Sequence, residues 1–161
     1  MACKYGIPTY VMGKFHFAQF LHHVQTYRIT NVVTAPPLLV MLSKRPETAN
    51  FDITSLGNIA CGGVPLSKEL QNDVARRFKI SVKQTWGGTE LTCSATLTPG
   101  GMADTRGAAG MLLPNMECKL LNDEGKEVRI GERGEAYFKG PNICVGYWKN
   151  EAATTGAIST D

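Results

Sequence analysis

The chain has 161 residues, 43% of them hydrophobic, enough to bury a core, and length alone suggests one domain. Its 17 Lys and Arg against 14 Asp and Glu leave a formal charge of +3. That charge is spread with no basic run beyond Arg76 and Arg77, so nothing argues for nucleic acid or an anionic membrane as a partner. Five cysteines, Cys3, Cys61, Cys93, Cys118 and Cys144, stand singly, without CxxC spacing or a nearby His pair suited to zinc. A reducing intracellular compartment is expected. The opening MACKYGIPTY lacks the apolar stretch of a secretory leader, and no segment approaches the ~18 apolar residues of a membrane span. A soluble protein without integral membrane association is the expectation.

In chain order, Pro8 to Met12 reads as a strand. Phe17, Phe20, Leu21, Val24 and Tyr27 then recur on one face of an amphipathic helix. Thr30 to Ala35 is short and β-branched, a second strand, and Pro36 and Pro37 end it and open a buried helix over Leu38 to Leu42. Asn58 to Cys61 reads as a strand running into Gly62 and Gly63. A helix begins near Pro65 with Leu66, Leu70, Val74 and Phe78 spaced by four, and Ile80 to Gln84 is the next strand. Strands alternating with helices predict parallel β-α-β units, whose ligands bind beyond the carboxyl ends of the strands. Both glycine-rich turns, CGGV and WGGTE, fall at such ends.

Past Leu97 the texture changes. Met116, Cys118 and Leu120 alternate with charged residues, NDEG (Asn122 to Gly125) offers a hairpin turn, and Glu135 to Lys139 supplies another strand. The predicted fold class is therefore α/β: a parallel β-α-β portion over residues 1–96, followed by a mostly antiparallel, barrel-like portion over residues 97–161.

QTWGGTE, Gln84 to Glu90, places an aromatic ring, two glycines, a hydroxyl and a carboxylate just after a strand. Gly87 and Gly88 let backbone N–H groups approach an anion, Thr89 can donate to a phosphate oxygen, and Glu90 can hold magnesium. Trp86 can stack on a base. Alone, the same residues also describe a tight turn with a core Trp and a solvated Glu.

QTWGGTE resembles the QGYGMTE-type motif of the adenylate-forming, acyl-activating enzyme superfamily. FDITSLGNIACGGVPLSKEL (Phe51 to Leu70) is similar to that family's GG-turn segment, and GERGEAYFKGPNICVGYWKNEAAT (Gly131 to Thr154) to its later GE…GYW segment. The three come in the family's order, cover essentially the whole chain, and lean toward 4-coumarate-CoA ligase and acyl-CoA synthetases. The resemblance implies an AMP-forming acid–thiol ligase using ATP, Mg2+ and CoA on a small aromatic or fatty carboxylic acid, in the cytoplasm or the peroxisome.

It assigns the adenine pocket to Gly62, Gly63, Val64 and Trp86, and the wider nucleotide site to Gln84, Thr85, Gly87, Gly88 and Thr89. The catalytic pair would be Thr89 and Glu90, with Glu90 on the metal. Cys61, Thr85, Gly87, Cys93 and Ser94 could line the acyl pocket, and the two cysteines read equally well as small core residues. His16, His22 and His23 read as solvated helix-flank residues.

The sequence departs from the family at Thr85 (usually Gly), Trp86 (usually Tyr) and Gly88 (usually larger), positions that bear on substrate choice. GYW at Gly146 to Trp148 favours a CoA ligase over a carrier-protein adenylation domain. The family's phosphate loop, ribose-binding Asp, hinge and C-terminal lysine domain are not matched, and Asp161 aligns with an Asp other than the ribose one. A fragment of the large N-terminal domain is expected. The other readings are an adenylation domain loading a carrier protein, or a noncatalytic remnant with weak nucleotide binding.

Overall fold

The computed structural model describes residues 2–159; Asp161 lies outside the described residues. After a short helix α1 (Ala2–Tyr5), helix α2 (Phe17–Tyr27) turns Phe17, Phe20, Leu21 and Val24 into the core, as their spacing predicts. Tyr27, one step further, stays 47% exposed. It stacks on Tyr10 with ring centroids 4.3 Å apart. The strand expected at Pro8 to Met12 is corrected, since no strand forms there. The segment joins neither sheet among the described residues, and Ile7, Tyr10 and Val11 are exposed.

Strand β1 (Asn31–Thr34) passes into α3 (Pro36–Lys44), where two prolines occupy the first turn and cost the helix no internal hydrogen bond. A 3-10 turn at Pro46–Asn50 leads toward β2 (Asn58–Cys61). Helix α4 (Lys68–Phe78) starts three residues later than Pro65, because Ser67 caps it by accepting the Leu70 N–H at 3.3 Å. Glu69 in its first turn and Arg76 and Arg77 in its last complement the helix dipole. Strand β3 (Ser81–Trp86) follows.

Strands β1, β2 and β3 pair in parallel, in register Thr34 to Cys61 and Cys61 to Gln84. Helices and sheet share one core, in which Leu39, Leu42, Ile59, Cys61 and Val74 are almost fully buried. Alternate strand residues point to the other face, where Val33 is 85% exposed.

The chain after β3 divides its antiparallel strands between two sheets. β4 (Thr96–Leu97) and β5 (Met111–Leu112) extend the parallel sheet to five strands, ordered β1-β2-β3-β4-β5. β6 (Glu117–Leu121) and β7 (Glu135–Lys139) form a separate two-stranded sheet. Asn122 makes the expected turn after β6: its Oδ1 accepts the Glu124 and Lys126 N–H groups at 3.0 and 2.9 Å. A second, smaller core of Leu91, Ala95 and Met116 packs with Leu113, Phe138 and Ile143. Helix α5 (Glu151–Ala157) closes the described chain. Among the described residues no helix is long and apolar enough to cross a membrane.

Candidate functional site

The parallel register that sets Cys61 beside Gln84 makes Gly62 and Thr85 neighbours, so the two glycine-rich turns leave adjacent strands side by side. Their glycines do different things. A Cβ on Gly62 would lie 2.8 Å from Thr85 Cγ2 and 2.9 Å from its carbonyl oxygen, and one on Gly87 would lie 2.1 Å from the Cys93 oxygen. Both positions are glycine because backbone or side chain packs against them. Gly63 has open space around it and a φ of +90, so its conformation is what calls for glycine. Gly88 faces Glu90, whose Oε2 would be 3.1 Å from an added Cβ.

Beyond β3 the chain folds back on itself. Thr89–Leu91 forms a 3-10 turn, Leu91 and Cys93 donate their N–H groups to the Gly88 carbonyl at 3.1 Å, and Ala95 donates to that of Trp86 at 2.9 Å. Thr92 and Cys93 sit at φ 48 and 89, a left-handed reversal unusual for non-glycine residues. Leu91 is buried as the anchor of the loop, which leaves Thr89 at the surface. Trp86, at the strand end, is 46% exposed and stacks on Phe138 of β7, centroids 5.1 Å apart.

Glu90 does not simply face water. Its Oε1 accepts a hydrogen bond from the Tyr147 hydroxyl. This bond holds the Glu90 carboxyl below the usual carboxylate range and pushes the Tyr147 phenol up. The backbone is tied as well, with Cys144 N–H donating to the Glu90 carbonyl at 2.8 Å. Asn142 braces the rest of the loop, its Nδ2 donating to the Leu91 and Ser94 carbonyls at 2.7 and 3.1 Å while its own carbonyl accepts from the Thr92 hydroxyl at 2.6 Å.

Two residues singled out from the sequence belong to the interior. Gln84 is 8% exposed, and its Nε2 donates to the Leu66 carbonyl at 3.1 Å and to Gln71 Oε1 at 2.8 Å. Its side chain points into the helix layer and is held there by these two bonds. Cys61 is 1% exposed within the main core, and burial pushes its thiol up to about 11, which fits the small-core-residue alternative. Thr85 spends its hydroxyl on Ser94 Oγ at 3.0 Å and the Thr96 carbonyl at 2.8 Å. Val64 and Cys93 are exposed and Ser94 is half-buried.

Sequence reasoning did not find Phe138, Asn142 and Tyr147. The last two lie inside the GPN…GYW segment, so that motif was the available signal, although it says nothing of which loop it meets. Among the described residues no three His, Cys, Asp or Glu cluster as a metal site. Glu90 alone offers a carboxylate, with one oxygen engaged by Tyr147. A single hard oxygen donor suits magnesium, which completes its shell with phosphate and water.

The family description for AMP-binding enzymes matches residues 1–148. The chain belongs to the AMP-binding enzyme family. This match takes in CGGV, QTWGGTE and GYW together. The chain is 37% identical over 161 residues to a probable 4-coumarate–CoA ligase 2 of Dictyostelium discoideum, covering 98% of this chain and 29% of that protein. It is 36% identical over 158 residues to a luciferin 4-monooxygenase of Photinus pyralis, covering 97% and 28% respectively. The chain thus spans less than a third of the length of these curated relatives. Among solved structures, a long-chain-fatty-acid–CoA ligase from Archaeoglobus fulgidus superposes with a TM-score of 0.79 at 29% identity, over 89% of this chain and 31% of that one. The O-succinylbenzoate coenzyme A synthetase of Bacillus subtilis shares the fold with a TM-score of 0.82 at 24% identity, over 99% of this chain and 34% of that one.

Proposed function

We propose that this chain is the adenine- and phosphate-handling segment of an AMP-forming acyl- or aryl-CoA ligase. The observation that carries the reading is the WGGTE loop. It presents a half-exposed Trp86 ring, a surface Thr89 hydroxyl and an ionised, hydrogen-bonded Glu90 at the carboxyl end of a parallel strand, beside the CGGV turn. Membership of the AMP-binding family supports it, as does similarity to relatives named as CoA ligases.

In this reading the substrate carboxylate attacks the α-phosphorus of ATP, forming an acyl–AMP bond as the bond to the β-phosphate breaks and pyrophosphate leaves. The CoA thiol then displaces AMP from the acyl carbon. Trp86 offers the adenine the ring face that Phe138 does not cover, a stacking contact worth roughly 1–3 kcal/mol. Thr89 donates to a phosphate or acyl oxygen. Glu90 would hold magnesium, which would supply neutralisation of charge on the phosphates. Gly63 and Val64 shape the adenine side, and Thr85, Cys93 and Ser94 the acyl side. The Thr85–Ser94 hydroxyl pair, where the family usually has glycine at the first position, narrows that pocket. Residues 1–96 act as the α/β portion. Residues 97–161, apart from Leu97 and β5, which complete the first sheet, are read as part of a barrel-like portion, a reading supported by the exposed Cys118 and Leu120 on one face of β6.

The test is ATP–pyrophosphate exchange by the full-length protein carrying this chain, across aromatic and fatty acids. Thr89→Ala and Glu90→Gln should each lower exchange by about a hundredfold, the scale of one lost transition-state contact. Wild-type exchange in both variants would remove the assignment.

A further inference from the structure

The GYWKNEAAT segment carries no ligand role in the reading above, yet its parts are joined in one way. Gly146 is glycine because a Cβ there would lie 2.7 Å from Thr154 Cγ2. The Tyr147 N–H donates to Thr154 Oγ1 at 2.9 Å, and Thr154 Oγ1 in turn donates to the Asn150 carbonyl at 2.9 Å. Asn150 caps helix α5, its Oδ1 accepting the Ala153 N–H at 3.1 Å. A capped helix therefore holds the backbone of Tyr147 through one threonine. The product of this bracing is a single tyrosine hydroxyl delivered to Glu90 Oε1, 57 residues earlier in the chain.

At the other end, Glu90 has little freedom. The Cys144 N–H fixes its carbonyl, and its Oε2 lies over Gly88. With Oε1 engaged by Tyr147, Oε2 is the oxygen left for a cation. We infer that Tyr147 is a positioning residue that orients the Glu90 carboxylate so that Oε2 receives the nucleotide-bound divalent cation, and that Gly146, Asn150 and Thr154 exist to hold Tyr147 in place. The inference rests on the reading of Glu90 as the magnesium carboxylate. An unbraced Glu side chain would have to lose its rotamer freedom on each binding event, whereas a hydrogen-bonded one has lost it on folding.

The test uses the full-length protein with a nonhydrolysable ATP analogue and Mn2+ as the probe cation, with free Mn2+ read by electron paramagnetic resonance. Tyr147→Phe keeps the ring and removes the hydroxyl. Its Mn2+ dissociation constant should rise about threefold to tenfold, the scale of an ordinary net hydrogen bond, since this one faces solvent. Analogue affinity measured without divalent cation should be unchanged, a split that general loosening of the fold would not produce. Thr154→Val should weaken Mn2+ binding in the same direction, and Thr154→Ser should bind as the wild type does. Mn2+ binding unchanged or tighter in Tyr147→Phe, with binding lost in Glu90→Gln, overturns the positioning role and leaves the Glu90 assignment standing. Wild-type Mn2+ binding in Glu90→Gln overturns both.

Discussion

The indole of Trp86 and the ring of Phe138 stack with centroids 5.1 Å apart and planes inclined by 27°, joining the end of the parallel sheet to the two-stranded sheet. One face of the indole is thereby fixed, while the residue stays 46% exposed. Phe138→Ala should cost about 1 kcal/mol or more in stability from the lost aromatic pair. It should also weaken nucleotide binding several-fold, because Trp86 then has to be ordered by the ligand. Denaturant unfolding and a nucleotide titration followed by tryptophan emission, in a Trp148→Phe background, check both effects.

Gln84 offers the opposite case, a motif residue whose side chain serves the interior. Gln84→Leu would leave Gln71 Oε1 and the Leu66 carbonyl without their donor in a buried place. A loss of about 1–3 kcal/mol in unfolding free energy is expected, with the dissociation constant for ATP unchanged in the folded protein. A clear drop in ATP affinity at preserved stability would restore the ligand role for this side chain.

The glycines separate into a graded series. Gly87→Ala places a Cβ 2.1 Å from the Cys93 oxygen, so the loop must open, and both stability and exchange activity should fall severely. Gly63→Ala meets no atom within 4 Å and should cost only the backbone strain of a φ near +90, about 1–2 kcal/mol. Unfolding midpoints for the two variants, compared directly, test the order.

Burial pushes the Cys61 thiol up to about 11, against about 8.5 for an unperturbed thiol. The folded state therefore keeps this proton where the unfolded chain releases it. The resulting stabilisation is complete below the unfolded value and lost as pH rises through about 11. Unfolding free energy should decline over that window in the wild type and less steeply in Cys61→Ala. At neutral pH, Cys61 should also resist alkylation by iodoacetamide while exposed Cys93 reacts, which peptide mapping would show.

Much of the layout was legible from residue types. The spacing of Phe17, Phe20, Leu21 and Val24, the prolines opening α3, and the short β-branched runs around Val32 and Ile59 each carry local information. Pairing and burial are not local in this way. Pro8 to Met12 has strand-like residues but no partner strand, and so remains outside any sheet. Leu97 reads as a change of texture, yet β4 and β5 complete the first sheet because Thr85 and Trp86 still offer an edge to pair with.

The candidate site divides along the same line. Residue types alone left QTWGGTE open between a tight turn and a nucleotide loop, and the resemblance of three ordered motifs to the adenylate-forming family is what singled it out as the candidate. The tertiary structure decided which of its groups face outward. The strand's alternation sends Gln84 into the helix layer, and parallel register makes Gly62 a packing neighbour of Thr85. It also decided that Tyr147 meets Glu90, because a hydrogen bond across 57 residues depends on how the loop between β7 and α5 is set against the turn after β3. No local pattern encodes that contact.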